Sequence, residues 1–214
     1  MARLSGTGRL ADDLYLLAHH EVTGKPHLQP RAAGLGLAGA LLAELMLSGN
    51  ICLRPGRIIV ADRSPPRDGL AQSVLRLVVS EPGQLAARDW LLFLARTAAE
   101  DVALRLEQSG YLTRISSRRP WRGERWIPVD SDCAFAPFLR VKSALDSSQP
   151  VTAQNAALAG LAAACGLGAR LALYLPPKAH YRLQEAAQQL HPSLRDLIAQ
   201  TQAAVDSALL SHRA

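Results

Sequence analysis

Hydrophobic positions recur along most of this chain with the spacing of helices. Leu10, Leu14 and Leu17 stand at i, i+4 and i+7, with Asp12 and Asp13 available for the first turn, so the pattern predicts a short amphipathic helix over residues 10–20. Thr23-Gly24-Lys25-Pro26 ends it. Residues 36–47 are apolar almost all round (Leu37, Leu41, Leu42, Leu45, Met46), as expected of a central helix enclosed by others, and Ser48-Gly49-Asn50 supplies the stop.

The period then changes. Ile51 and Leu53, a turn at Arg54-Pro55-Gly56, and Ile58, Ile59 and Val60 read as a hairpin, followed by a loop over residues 63–69. A second helical block places Leu91, Leu94, Ala98 and Val102 on one stripe and closes at Ser109-Gly110. Strand-like residues 111–115 and 125–129 then flank a turn-rich tip at 116–124. The order helix, stop, strand, turn, strand therefore occurs twice, at 41–60 and 91–129, as a weak internal repeat. The remainder is predicted helical over 156–174 and 181–190, with breaks at Pro176-Pro177 and Pro192. A last helix there shares Leu194, Leu197, Ile198, Thr201, Val205 and Ala208 on one face. The fold class that follows is mainly α: a multi-helix bundle around a central apolar helix core, with two short β-hairpins. A single domain is expected over 10–210 after a flexible N-terminus at 1–9.

Composition sharpens this. With 214 residues, 49% hydrophobic and only 5% aromatic, the core must be built from Leu, Ala and Val, which suits close helix packing. Two weakly charged stretches test as membrane spans, but residues 32–49 contain Glu44 and residues 151–169 are dominated by Ala, Gly, Gln and Asn, so buried bundle helices are expected instead. The apolar stretch after Arg9 is interrupted by Asp12 and Asp13, which argues against a secretory signal and for a cytoplasmic protein. Cys52, Cys133 and Cys165 have no C-x-x-C spacing, so neither disulfides nor zinc are expected, and no other metal or cofactor.

Catalytic patterns are missing at the level of motifs: no phosphate-binding G-x-x-x-x-G-K-[ST], no G-x-G-x-x-G, no H-E-x-x-H and no G-x-S-x-G. Adjacent His19 and His20 diverge by about 100° on a helix and would chelate one metal poorly. Asp12, Asp13 and Glu21 read as caps or a solvated face rather than an acid/base cluster. Glu44, inside an apolar helix, calls for an Arg partner to remain ionised. The chain is read as non-enzymatic.

Charge changes the picture most. The net charge is +6, and between Tyr111 and Val129 five arginines (Arg114, Arg118, Arg119, Arg122, Arg125) face one Glu124, a local +4. Trp121 and Trp126, two of the chain's three tryptophans, interleave with them. Indoles favour the headgroup region of a bilayer and each nearby cation gains on the order of 1 kcal/mol at an acidic leaflet, so the tip suits a membrane surface. The same residues would serve as the wing of a winged-helix nucleic-acid binder, although the preceding helix sets Glu100, Asp101 and Glu107 against Arg96 and Arg105. The tip would alternatively be a solvated loop whose tryptophans pack on the core or on a second copy in a homo-oligomer.

Three stretches carry a family resemblance: Leu10-Ala11-Asp12-Asp13-Leu14-Tyr15-Leu16-Leu17, Gly39-Ala40-Leu41-Leu42-Ala43-Glu44-Leu45-Met46-Leu47-Ser48-Gly49-Asn50-Ile51, and Leu106-Glu107-Gln108-Ser109-Gly110-Tyr111-Leu112-Thr113. In order and spacing they resemble motifs of the Golgi phosphoprotein 3 family, from Leu10 to about Leu209. The resemblance implies an all-helical fold and peripheral attachment to the cytoplasmic face of a membrane through phosphatidylinositol 4-phosphate. It also implies protein cargo, and a hairpin that aids membrane contact and self-association. Arg96 takes the place of one headgroup-pocket arginine. Ala99 and Ala38 stand where two more are expected, and Gln29 stands for the pocket's tryptophan. A phosphorylated inositol is normally held by several guanidinium forks, so Arg96 alone would be a weak receptor. The Ala/Arg/Leu/Gly-heavy composition is in keeping with a bacterial member, in which the scaffold and its affinity for acidic lipid would be what is kept. The expected lipid-binding residues are accordingly Arg96, Arg118, Arg119, Trp121, Arg122, Arg125 and Trp126.

Overall fold

The structure is a computed structural model and describes residues 7–83, 85–115, 125–147, 149–174 and 177–211. Its organising element is α2 (Pro30–Leu47), which starts six residues earlier than the apolar run suggests because Pro30 occupies the first turn, where its missing N–H costs nothing. In length and mean hydropathy, 1.3 over eighteen residues, α2 matches a membrane-crossing helix, yet 72% of that window is buried inside the molecule. What covers it is the rest of the bundle. α1 (Leu10–Leu17), α4 (Ala87–Leu94), α5 (Ala98–Gln108), α7 (Ala153–Ala162) and α10 (Pro192–Leu210) all pack against it.

Small residues let these helices approach closely. A Cβ on Gly34 would lie 2.5 Å from the Ala95 carbonyl oxygen, and one on Gly39 would lie 2.6 Å from Oγ1 of the fully buried Thr201. That hydroxyl donates to the Leu197 carbonyl at 2.8 Å, so no polar atom is left stranded at the α2–α10 contact. The core is one cluster of mainly Leu, Ala and Val, as the composition requires.

Both hairpins form as two-stranded antiparallel sheets. β1 (Ile51–Arg54) pairs with β2 (Arg57–Val60) in the register Ile51↔Val60, around a turn in which Gly56 takes φ +73°, a left-handed conformation that suits glycine. This hairpin is anchored to the start of α4 by the Ala87 N–H donating to the Gly56 carbonyl. β3 (Leu112–Ile115) pairs with β4 (Arg125–Pro128) in the register Leu112↔Pro128 to Ile115↔Arg125. The tip between them, residues 116–124, lies outside the described residues.

The second helical block is three helices rather than one, with α3 (Gly69–Ser80) capped by Asp68, whose side chain accepts from the Ala71 N–H at 2.9 Å. The periodicity missed α6 (Ser131–Asp146), a helix that carries Pro137 inside it. The predicted helix over 156–174 is broken: α7 gives way to a wider turn (Ala163–Leu167) in which Gly166 takes φ +96°, and α8 (Gly168–Tyr174) resumes beyond it. α9 (Pro177–Gln189) begins four residues before Tyr181, and α10 starts at Pro192 as expected.

Candidate functional site

Asp12 and Asp13 correct the sequence reading: neither caps a solvated turn, and both are fully buried. α1 carries them into the bundle, where Asp12 meets Arg105 of α5 at 2.7 Å and Asp13 meets Arg140 of α6 at 2.5 Å. Arg105 is the hub of a larger cluster. Its guanidinium also reaches Glu44 of α2 at 3.1 Å and the α3 cap Asp68 at 2.8 Å, while Arg9 approaches Asp12 and Asp68 at 3.6 Å each. Glu44 thus has the arginine partner expected of it, and its Oε1 additionally accepts from the Ala11 N–H at 2.8 Å.

Burial pulls the Arg105 guanidinium toward neutrality, but Glu44 and Asp12 more than offset this and hold it charged, above its ordinary value. Burial likewise pushes the Asp12 carboxyl up to about 6, against the opposing attraction of Arg105. Asp68 is also disfavoured as an anion by burial, yet the Ala71 N–H and Arg105 leave its carboxyl below the usual value. One cation thus ties α1, α2 and α5 to the residue that caps α3.

The hairpin base is built differently. Across the strand pair Arg114 faces Trp126, with its guanidinium 5.3 Å from the indole centroid, and both side chains converge on Glu107 of α5. Glu107 lies 3.4 Å from the Arg114 guanidinium and accepts from the Trp126 indole N–H at 3.4 Å. The backbone carbonyl of Trp126 abuts Gly24, whose φ of +62° marks the turn after α1. Trp126 is therefore half-buried and held by α5 rather than projecting as a free anchor, whereas Arg125 is exposed. Arg118, Arg119, Trp121 and Arg122 fall in the tip, outside the described residues.

Arg96 lies elsewhere. It precedes α5, whereas the hairpin leaves the other end of that helix, and eleven residues at 1.5 Å each put about 16 Å between them. The structure therefore does not gather Arg96 and the strand residues into one anion site. Arg96 is exposed and makes no ion pair among the described residues. One turn earlier Phe93 is 47% exposed, on the outer face of α4, and the buried Trp90 packs edge-on to it at 5.9 Å. Leu92 beside it is 40% exposed. Because Gly34 abuts Ala95, the first turn of α2, with exposed Arg31 three residues earlier on the same side, lies beside this corner.

The α4–α5 corner was missed in the sequence, although an apolar Phe93 on the polar side of the α4 stripe was a visible signal. Of the positions where more pocket residues were expected, Ala38 is fully buried, Ala99 packs partly buried against the core, and Gln29 is the exposed residue preceding α2. His19 is packed on α1: its Nδ1 lies 2.7 Å from the Tyr15 carbonyl and its ring stacks on Tyr15. Among the described residues no group of three or more His, Cys, Asp or Glu could hold a metal ion.

Against known families, the model described as Golgi phosphoprotein 3 (GPP34) matches residues 10–208, nearly the whole chain. The chain belongs to that family. Its motifs thereby acquire a structural reading: in this Golgi phosphoprotein 3 family member, Asp12 of α1 and Glu44 of α2 hold Arg105, while Asp13 holds Arg140. No curated protein matches the sequence significantly.

Proposed function

We propose that this chain is a non-enzymatic peripheral membrane protein that rests on acidic lipid through two separated contacts: the α4–α5 corner and the basic hairpin. The observation that carries the reading is the exposed Phe93, propped by buried Trp90, beside Arg31 and one turn from Arg96, which has no ion pair among the described residues. An aromatic ring at the headgroup level together with arginines that attract anionic lipid is the pairing an interfacial contact uses. Membership of the Golgi phosphoprotein 3 family supports a lipid surface as the partner. The hairpin adds exposed Arg125 and the tip residues Arg118, Arg119, Trp121 and Arg122.

The headgroup preference we infer is for negative charge in general. Phosphatidylinositol 4-phosphate recognition as the family implies it needs several forks around one phosphate, and Ala38 and Ala99 supply none. The winged-helix alternative is weakened because Arg105, which the preceding helix would offer to a phosphate backbone, spends its charge inside on Asp12, Glu44 and Asp68.

Flotation with vesicles of phosphatidylcholine containing phosphatidylserine or phosphatidylinositol 4-phosphate, matched in total charge, tests the proposal. We expect comparable recovery with both, falling with salt, and a loss of severalfold or more in Arg96→Ala with Phe93→Ser. Equal flotation on neutral vesicles, or an unaffected double variant, would overturn it.

A further inference from the structure

In the turn between α1 and α2, one ring nitrogen has a different partner for each of its charge states. His20 Nδ1 accepts from the Val22 N–H at 3.2 Å and from the Thr23 N–H at 3.5 Å. A nitrogen that accepts from backbone donors keeps its lone pair, so the ring is neutral and carries its proton on Nε2. The same Nδ1 lies 3.7 Å from the Glu21 carboxylate, which offers nothing to a neutral acceptor and an ion pair to a protonated one. With 40% of the side chain exposed, solvent protons reach it.

The turn closes on this residue and leans on the hairpin. The His20 N–H donates to the Lys25 carbonyl and the Gly24 N–H donates to the His20 carbonyl, both at 2.9 Å. Gly24 in turn is pressed against β4: a Cβ added there would collide with the Trp126 carbonyl oxygen and lie 3.1 Å from the Ile127 Cα. A shift of the turn therefore moves the backbone that supports β4. The other titratable groups here are Glu21, which favours a charged His20, and Lys25 and His27, which oppose it, the His27 ring standing 6.1 Å away with Arg170 of α8 near it. His27 is held below the ordinary histidine range by burial and then by Arg170 and His20, and His19 is held below it by burial, so both of these rings resist charging.

We propose that His20 is an acid-operated latch between the α1–α2 turn and the β3–β4 hairpin. Neutral, it caps the Val22 and Thr23 amides and keeps Gly24 against β4. Protonated at Nδ1, it gives up both amides, donates to Glu21 instead, and the turn loosens its hold on the strand. The latch uses no property of the lipid surface, and it operates in the protein alone.

Nuclear magnetic resonance of the full chain, without vesicles, tests this. At about pH 7.5 the His20 ring should be the Nε2–H tautomer, and acidification to about pH 5.5 should shift the amide signals of Val22, Thr23, Trp126 and Ile127 along the same curve as the ring. His20→Asn, whose side-chain oxygen accepts from the same backbone donors but does not titrate, should remove that shared curve, and Glu21→Gln should move the ring's own curve to lower pH. The Asp12 carboxyl is present in both proteins, so it cannot account for a response that His20→Asn removes. An Nδ1–H tautomer near neutrality, strand amides that ignore the titration of the ring, or an unchanged acid response in His20→Asn would overturn the proposal. The tautomer and the strand signals are read in the unaltered protein, so the test stands even if a variant fails to fold.

Discussion

Arg105 of α5 holds the carboxylate of Asp12 at 2.7 Å across ninety-three residues of sequence, and the same guanidinium reaches Glu44 and Asp68. Removing the cation leaves several poorly solvated carboxylates facing each other, and breaking a buried pair of this kind costs about 3–5 kcal/mol. Arg105→Met is therefore expected to lower the melting temperature by roughly 10 °C or more. Arg114→Ala, which loses a pair at 36% and 31% exposure, should stay within about 1 kcal/mol of the parent. Thermal denaturation of the two variants side by side checks the contrast.

The cluster also makes stability depend on pH in two opposite senses. Asp12 has its carboxyl raised by burial from 3.8 to about 6, so the folded state holds the proton more tightly, and this contribution is complete below pH 3.8 and is lost as pH rises to about 6. Asp68, whose carboxyl is lowered in the folded state, contributes above its ordinary value and loses that contribution as pH falls. Asp12→Asn should accordingly remove a decline in melting temperature between about pH 4 and 6, while Asp68→Asn should reduce the decline below pH 4. Melting curves from pH 3 to 7 in each variant measure both slopes, and an unchanged slope in Asp12→Asn would show that another group supplies it.

Close backbone approach makes its own prediction. Gly34→Ala would drive a methyl group to 2.5 Å from the Ala95 carbonyl oxygen, and neither backbone can yield without shifting α2 or α4, so a loss of about 2 kcal/mol is expected. Gly69, at the start of α3, has no atom within 4 Å of its added Cβ, and Gly69→Ala should be neutral or slightly stabilising. Urea denaturation distinguishes them.

At the hairpin base Glu107 draws Arg114 away from any acidic surface. Glu107→Gln removes one negative charge beside the hairpin and should raise the affinity for phosphatidylserine vesicles severalfold, since one charge near such a leaflet contributes about 1 kcal/mol. The gain should vanish at high salt. If vesicle binding does not change, the base of the hairpin does not face the lipid.

Much of this architecture was legible locally. The apolar run of α2, the turn at Pro55-Gly56 and the stop at Gly110 are written in neighbouring residues, and Glu44 declared its need for a cation by being acidic in an apolar helix. What escaped depends on distance. Asp12 and Asp13 read as an exposed first turn because Arg105 and Arg140 lie 93 and 127 residues away. Charge and the family resemblance group Arg96 with the hairpin, although the whole length of α5 separates them. α6 was hidden by Pro137, which argues against a helix unless its capping at Asp130 and its packing on α1 are known. The Gly166 break is concealed by a run of Ala and Leu that would continue a helix.

The burial of α2 on every side has a consequence during synthesis. The helix is apolar enough to resemble a bilayer segment, and part of its cover, α10 with Thr201 against Gly39, is translated about 150 residues later. Until then one side of this hydrophobic rod has no partner within the chain, and α10 completes a cover to which α1, α4, α5 and α7 also contribute.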